Sequence, residues 1–360
     1  MISIILGTRP EIIKLSPIIR ELKSEEFFII HTNQHYSENM DKIFFQELNL
    51  PKPKYNLNIG SGTHGEQTGK MLIEIEKVLL KEKPNIVIVQ GDTNTVLAGA
   101  LAASKLKIKV AHVEAGLRSY DKNMPEEINR VLTDHISDYL FAPTEIAKNN
   151  LLKEGIKDNI FVVGNTIVDA TLQNLEIAEK NDHIKGFFNS VVDKDYFLLT
   201  LHRAENVDNR ERLERIVNNI NELSDIYDYD IIFPIHPRTK KRLIEFNLFD
   251  KLKSNKKIKI IEPVGYLEFL ILEKNAKLIL TDSGGVQEEA CILKIPCITL
   301  RDNTERPETL EVGSNILVGD NKEKLIKAVE LMLNKKRDWK NPFGDGKAGK
   351  RIVRILRGII

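Results

Sequence analysis

Short apolar runs recur along the whole chain, at residues 2–6, 27–30, 86–89, 109–113, 139–141 and 160–163, and again at 197–201, 231–233, 258–261, 278–280, 297–300 and 316–318. Stretches with helical periodicity separate them. Runs of this length that are apolar on both faces and alternate with helices predict parallel sheets covered on both sides. A chain of 360 residues spans roughly two domains. Six runs in each half therefore predict an α/β protein of two doubly wound, Rossmann-like domains, at 1–168 and 169–345. The basic amphipathic stretch 346–360 is expected to be a helix that returns to the first domain. Twelve strands exceed a closed eight-stranded barrel, and no short-period repeat points to a solenoid.

Composition narrows the function classes. Lys+Arg is 53 against Asp+Glu 52, a net charge of +1, which excludes a bulk polyelectrolyte but leaves room for a local basic pocket. With 42% hydrophobic and 29% charged residues, a packed core is expected and disorder along the whole length is not. The two cysteines, Cys291 and Cys297, lack the partners of a disulfide framework or a structural zinc site. No apolar run reaches the ~18 residues of a membrane span, and the start lacks a basic n-region. The cytoplasm is the expected location.

The polar residues cluster where the predicted strands end. The first half has Gly7-Thr8-Arg9-Pro10-Glu11, Gln90-Gly91-Asp92-Thr93 and Glu114-Ala115-Gly116-Leu117-Arg118. The second has His202-Arg203-Ala204-Glu205-Asn206, His236-Pro237-Arg238, Asp282-Ser283-Gly284-Gly285 and Arg301-Asp302-Asn303-Thr304-Glu305-Arg306. Open parallel sheets bind ligands outside the carboxyl ends of their strands. Two such rims predict two domains facing across a cleft, suited to a ligand with two distinct halves.

Ser283-Gly284-Gly285 follows a strand and opens a helix, where backbone N–H groups and the helix N-terminus favour an anion such as a diphosphate. A plain strand-to-helix turn with Ser283 as N-cap explains the same residues. Arg9, Lys14, Arg203 and Arg306 are the basic residues placed to face phosphate. No GxxxxGK[ST] and no GxGxxG after the first strand is present, so nucleotide hydrolysis and nicotinamide binding lack a motif. Asp228-Tyr229-Asp230 has the form of a metal-binding DxD, but it precedes a strand and so falls at the amino end of its sheet. No metal site is expected. Asp92, Glu114, Glu126 and Glu127 lie at or just past strand ends, where burial can separate carboxyl pKa values for acid and base work. Glu126 and Glu127 also fit an ordinary first helical turn after Pro125.

Taken in order, Gly7-Thr8-Arg9-Pro10-Glu11, Gly91-Asp92-Thr93, His112-Val113-Glu114-Ala115-Gly116-Leu117-Arg118, Pro125-Glu126-Glu127-Ile128-Asn129-Arg130, Gly164-Asn165-Thr166-Ile167-Val168-Asp169, His202-Arg203, the Asp282 segment through Ala290, the Arg301 segment through Glu308 and Gly344-Asp345-Gly346 resemble the non-hydrolysing UDP-N-acetylglucosamine 2-epimerases over essentially the whole chain. The resemblance implies the GT-B fold and a UDP-sugar substrate, with no NAD and no metal. It further implies a homodimer that interconverts UDP-N-acetylglucosamine and UDP-N-acetylmannosamine, sugar nucleotides of polysaccharide biosynthesis. Loss of UDP would give a 2-acetamidoglucal, and re-addition would follow protonation of the other face.

Asp92, Glu114, Glu126 and His202 match the family's catalytic positions. Arg9, Lys14, Ser283, Gly285, Glu289 and Arg306 match its UDP-binding positions, joined here by the neighbouring Arg203 and Gly284. Uracil is expected near residues 262–266. One segment departs: His236-Pro237-Arg238-Thr239 stands where many bacterial members have His-Leu-Asn-Pro. That change bears on the second UDP-N-acetylglucosamine that activates some of them, while Gln34-His35 matches. A GT-B glycosyltransferase, a hydrolysing 2-epimerase releasing free N-acetylmannosamine, and a non-catalytic sugar-nucleotide sensor are the alternatives. Three clustered carboxylates and His202 weigh against the transferase and the sensor.

Overall fold

The computed structural model describes residues 1–34 and 38–359, with the backbone alone for 38–42. The chain divides into two compact units, Met1–Gln173 with Phe343–Ile360, and Asn174–Pro342. The helix Thr166–Lys180 runs through the division.

Unit 1 holds a parallel sheet of β1 (Ile2–Leu6), β2 (Phe27–His31), β3 (Tyr55–Asn56), β4 (Ile86–Gln90), β5 (Lys109–Val113), β6 (Tyr139–Ala142) and β7 (Ile160–Val162), in the order β3-β2-β1-β4-β5-β6-β7. Unit 2 repeats the plan with β8 (Tyr196–Thr200), β9 (Asp230–Pro234), β10 (Ile258–Ile261), β11 (Leu278–Thr281), β12 (Cys297–Thr299) and β13 (Asn315–Leu317), in the order β10-β9-β8-β11-β12-β13. This is the expected α/β class of doubly wound sheets. The central strands are buried on both faces, so they read as unbroken apolar runs. Ile4 of β1, for instance, lies opposite Ile29 on one side and Ile88 on the other.

One local expectation needs correction: six apolar runs predict six strands in the first sheet, which has seven among the described residues. The extra one, β3, is two residues long at the sheet edge, too short to leave an apolar run. The charged stretch after Lys180 forms the helix Asp182–Val191, capped by Asn181, whose side chain accepts from the N–H groups of His183 and Ile184. Its charges lie on the outer face of a helix, and a cap is a sequence signal that charge obscures. Among the described residues no helix is long and apolar enough to cross a membrane.

Packing explains the small residues around the first sheet. The helix Asn94–Lys105 lies on it with Ala98, Ala100, Ala102 and Ala103 buried. A Cβ at Gly7 would come within 2.1 Å of the Thr32 hydroxyl oxygen and 2.3 Å of that of Thr95, so the end of β1 needs glycine. The C-terminal helix Ala348–Ile359 packs on helix Arg9–Glu21 of the same unit. The buried carboxylate of Asp169 accepts from the backbone N–H groups of Ala348 and Gly349, at 3.2 and 2.9 Å. These are donors that a helix start leaves without intrahelical partners.

Asp169→Ala removes both acceptors and should cost about 1–3 kcal/mol of stability. The check is the urea midpoint of unfolding followed by circular dichroism. An unchanged midpoint would show that this cap does not anchor the helix.

Candidate active site

In both sheets the strand order reverses once, between β1 and β4 in unit 1 and between β8 and β11 in unit 2. The loops leaving a reversal diverge to opposite faces and open a crevice at the carboxyl edge. The sequence clusters fall at these two places. Gly7–Glu11 leaves β1 and Gly91–Thr93 leaves β4; 201–206 leaves β8 and 282–285 leaves β11.

In unit 1 the clustered residues hold one another. Lys14 Nζ lies 2.6 Å from Glu114 Oε2, and Gln90 Nε2 donates to the same oxygen at 2.9 Å. Glu114 has φ of +71°, unusual for a residue with a side chain, so these two partners fix a carboxylate on a strained turn. Arg130 bridges Asp92, at 2.6 Å, and Glu127, at 2.9 Å. The Asn129 amide donates to the Asp92 carbonyl. Glu126 and Glu127 part company. Glu127 is buried and accepts from Ser119 N, Tyr120 N and the Ser119 hydroxyl, which fixes the preceding loop, while Glu126 is exposed on the first turn of helix Pro125–Ile136. Arg9 lies with its guanidinium 5.5 Å from the centre of the Phe44 ring.

In the sequence Glu11 stands out only as part of a motif. Its carboxylate is buried at the start of helix Arg9–Glu21 and accepts from Gly7 N, Thr8 N and the Thr8 hydroxyl. Its other oxygen accepts from the Thr93 hydroxyl, tying the β1 loop to the β4 loop beside Asp92. Burial pushes its carboxyl up to about 7, against the pull of these donors.

In unit 2 the buried Asp282 organises the crevice. It accepts from the backbone N–H groups of His202 and Arg203 and from the Asn206 amide, and it lies 3.2 Å from His202 Nδ1. Burial opposes its ionisation, but His202 and the two N–H groups outweigh that and hold the carboxyl below its ordinary range. The His202 ring stays partly exposed, with the His236 ring 5.5 Å away centre to centre.

Ser283 precedes helix Gly284–Leu293 as its N-cap residue, yet its side chain makes no capping bond. The plain-turn explanation of this serine therefore loses its main physical reason. Gly284 is buried and Gly285 exposed at the start of the same helix. Arg203 lies 4.0 Å from Glu305, whose partner Arg301 also binds Glu205, so the loop after β12 is held by paired charges. Arg306 Nε is 2.9 Å from Glu288.

A cavity of about 200 Å³ at this end is lined by His202, His236, Pro263, Val264, Phe269 and Ser283, among others. It combines a flat apolar wall with a helix N-terminus. Glu289 is buried further along helix Gly284–Leu293, where burial pushes its carboxyl up to about 7 despite the Tyr266 hydroxyl bonded to it. Glu273, fully buried on helix Tyr266–Asn275, is pushed well above the carboxylate range by burial and then by Glu289. Sequence reasoning passed over Glu273 because it lies within an apolar helical stretch without a motif.

The structure thus gathers Lys14, Asp92 and Glu114, with Arg9 and Glu126 on neighbouring turns, in unit 1. In unit 2, His202 and Ser283 line one cavity, with Arg203, Gly284 and Gly285 next to them in the chain, while Glu289 lies a turn further along the helix and Arg306 pairs with Glu288. Asp228 and Asp230 of the DxD string are paired with Lys194, Lys257 and Lys259 at the amino end of β9. His35, of the Gln34-His35 match, lies outside the described residues.

Glu289 yields a test. In the folded chain it keeps its proton up to about 7, whereas the unfolded carboxyl releases it near 4.5. The folded state therefore binds more protons in that window, and this group's contribution to stability falls as pH rises through it. Glu289→Gln cannot ionise, so its urea midpoint should fall less between about pH 5 and about pH 8 than that of the unaltered chain. Equal falls would show that Glu289 ionises normally.

Residues 19–357 match the family described as UDP-N-acetylglucosamine 2-epimerase. The UDP-N-acetylglucosamine 2-epimerase of Methanocaldococcus jannaschii is 85% identical over 359 residues, covering 99% of this chain and 98% of that protein. The one of Methanococcus maripaludis is 70% identical over 359 residues, covering 99% and 98%. A crystal structure of the M. jannaschii enzyme in complex with UDP-GlcNAc and UDP superposes with a TM-score of 0.86 at 84% identity, covering 99% of each chain. The two parallel α/β sheets seen here are those of the GT-B class to which such structures belong. With a family match across nearly its whole length and relatives this similar, the chain belongs to the UDP-N-acetylglucosamine 2-epimerase family.

Proposed function

We propose that this protein interconverts UDP-N-acetylglucosamine and UDP-N-acetylmannosamine without hydrolysing them. The observation that carries the reading is its 84% identity to an enzyme crystallised with UDP-GlcNAc and UDP, combined with carboxylates and a helix-terminal Ser-Gly-Gly at the two sheet reversals.

The chemistry explains the residue types. The C2 proton of the sugar has no adjacent carbonyl, so its direct removal is difficult. Elimination avoids the problem: the C1–O bond to UDP breaks, its electron pair leaves with the diphosphate, and a base takes the C2 proton to give 2-acetamidoglucal. Protonation of the opposite face at C2 and return of the diphosphate oxygen to C1 complete the epimerisation. Asp92, Glu114 and Glu126 are the acid and base groups. Lys14 is bonded to Glu114 and Arg130 to Asp92, which holds these two carboxylates in place.

Unit 2 takes the nucleotide. The N–H groups at Ser283, Gly284 and Gly285 face the diphosphate. His202, oriented by Asp282, stabilises the charge that builds as UDP departs, with Arg203 and Arg306 adding to it. Glu289 receives the ribose hydroxyls, and uracil lies against Pro263, Val264 and Phe269. Arg9 completes the phosphate contacts. No NAD or metal takes part in these steps, and the working form is a homodimer.

Proton NMR of the protein with UDP-N-acetylglucosamine in deuterated water, without added metal, NAD or acceptor, tests the reaction. Deuterium at C2 together with UDP-N-acetylmannosamine is the expected result. Free N-acetylmannosamine and UDP would mark a hydrolysing enzyme, and an unchanged spectrum would overturn the assignment. Asp92→Asn should lower turnover about 10²–10⁴-fold and leave UDP affinity within about twofold. Arg306→Ala should weaken UDP binding about tenfold or more, read by calorimetry. Wild-type turnover in the first variant, or wild-type affinity in the second, removes that residue from its role.

A further inference from the structure

The segment from His112 to Arg118 carries Glu114, but the reaction as described uses neither its histidine nor its arginine. Both side chains are almost wholly buried. His112 Nδ1 lies 2.6 Å from Asp134 Oδ1, and His112 Nε2 lies 2.8 Å from the Gly91 carbonyl oxygen. A carbonyl oxygen can only accept. Asp134 is ionised, because its other oxygen pairs with the Arg118 guanidinium, at 2.7 Å, and accepts from Gly116 N, at 3.1 Å, so the oxygen facing His112 accepts as well. Both ring nitrogens must therefore donate, which a neutral imidazole cannot do. Arg118 in turn forks onto Glu154, at 2.7 and 2.8 Å, and donates to the Leu117 carbonyl. The charges alternate in a row, Glu154, Arg118, Asp134, His112, so each has a partner of opposite sign.

The position of this chain gives it consequences. The Gly91 carbonyl belongs to the peptide unit that leads into Asp92. Gly91 N donates to the Val113 carbonyl, so β5 holds that residue by both its backbone groups. A turn of the Gly91–Asp92 peptide would redirect the Asp92 carboxylate. Two residues after His112 comes Glu114, and the loop after it is held by Asp134 at Gly116 N and by Arg118 at the Leu117 carbonyl. One network therefore reaches both strand-end carboxylates from behind.

We propose that His112 is a permanently protonated positioning residue, an imidazolium balanced by Asp134, which fixes the peptide before Asp92 and thereby aims that carboxylate at the sugar. This rests on the reading of Asp92 as an acid or base in the epimerisation. Burial acts to lower the His112 pKa, but Asp134 and the Gly91 carbonyl, with Glu114 adding a smaller pull, outweigh it and raise it above its ordinary value. Asp134, where burial is opposed by His112 and Arg118, is lowered. A role in positioning differs from one in packing alone. Misaimed reacting groups lower the rate of the chemical step while leaving substrate affinity nearly intact, and small displacements cost about 10²-fold.

Two measurements test it. In protein labelled with 15N-histidine, the two nitrogens of the His112 ring, assigned by loss of the signal in His112→Leu, should show the closely spaced shifts of an imidazolium at about neutral pH. The widely split pair of a neutral ring would overturn the proposal. In kinetics, His112→Leu should lower kcat about tenfold to a hundredfold with KM for UDP-N-acetylglucosamine within about twofold. Asp134→Asn, which keeps the shape but removes the balancing charge, should also lower kcat with little change in KM. Wild-type kcat in either folded variant, or a loss confined to KM, would overturn it. The nitrogen spectrum needs no turnover and is recorded on the unaltered chain, so failure of the proposed reaction and failure of this inference are read separately.

Discussion

The polar clusters at the carboxyl edges are arranged around one feature of each sheet, a strand that pairs in parallel with two neighbours reached from opposite directions. β1 is bonded to β2 on one side and β4 on the other, and β8 to β9 and β11 in the same way. Parallel pairing forces each connection to cross over the sheet, and right-handed crossovers send the two connections to opposite faces. The loops that start there part from each other at the carboxyl edge. They leave backbone N–H groups and side chains pointing into space that the fold itself does not fill. The clusters around Gly7 and Asp92, and around His202 and Ser283, occupy those places because this is where a buried sheet presents polar groups to a ligand.

Presenting charge at the edge of an apolar sheet requires each charge to have a partner, since removing a carboxylate from water costs several kcal/mol. The partners are local and specific. Lys14 and Gln90 share one oxygen of Glu114, Arg130 spans Asp92 and Glu127, and Asp282 receives two backbone N–H groups together with His202. These differ in kind from the many exposed pairs, such as Lys77 with Glu74, which water and salt weaken to almost nothing. Glu11, Glu273 and Glu289 follow the other course. Burial raises their pKa values, against the pull of hydrogen-bond donors at Glu11 and Glu289 and with Glu289 adding to it at Glu273, so these carboxyls hold protons to higher pH than ordinary ones. Ionised and protonated acids therefore stand within one fold, and the difference between them is set by neighbours and depth.

Much of this was readable from the chain. A central strand of a parallel sheet touches helices on both faces, so its apolar run is nearly unbroken and marks itself; β1, β4 and β11 did so. The turn residues after those strands marked the crevices, because glycine and small polar residues are what such turns require. β3 left no mark, being two residues at an edge. The helix Asp182–Val191 was hidden by charges on its outer face. Ser283 shows the limit more sharply: its sequence context fits a helix cap, and only the structure shows a side chain that caps nothing.

The sequence by itself determined the sheet class, the positions of the strand ends and the residue types gathered there, because hydrophobic periodicity and turn chemistry are local properties of the chain. It also carried the likeness to the family through short motifs kept in order. Tertiary structure alone decided which of those residues touch. That Glu11 joins the β1 and β4 loops, that Glu127 is buried while Glu126 is exposed, and that the His112 ring meets Asp134 on one side and the Gly91 carbonyl on the other all depend on contacts between segments distant in the chain. Such pairings follow from register and burial, and those exist only once the sheets have formed.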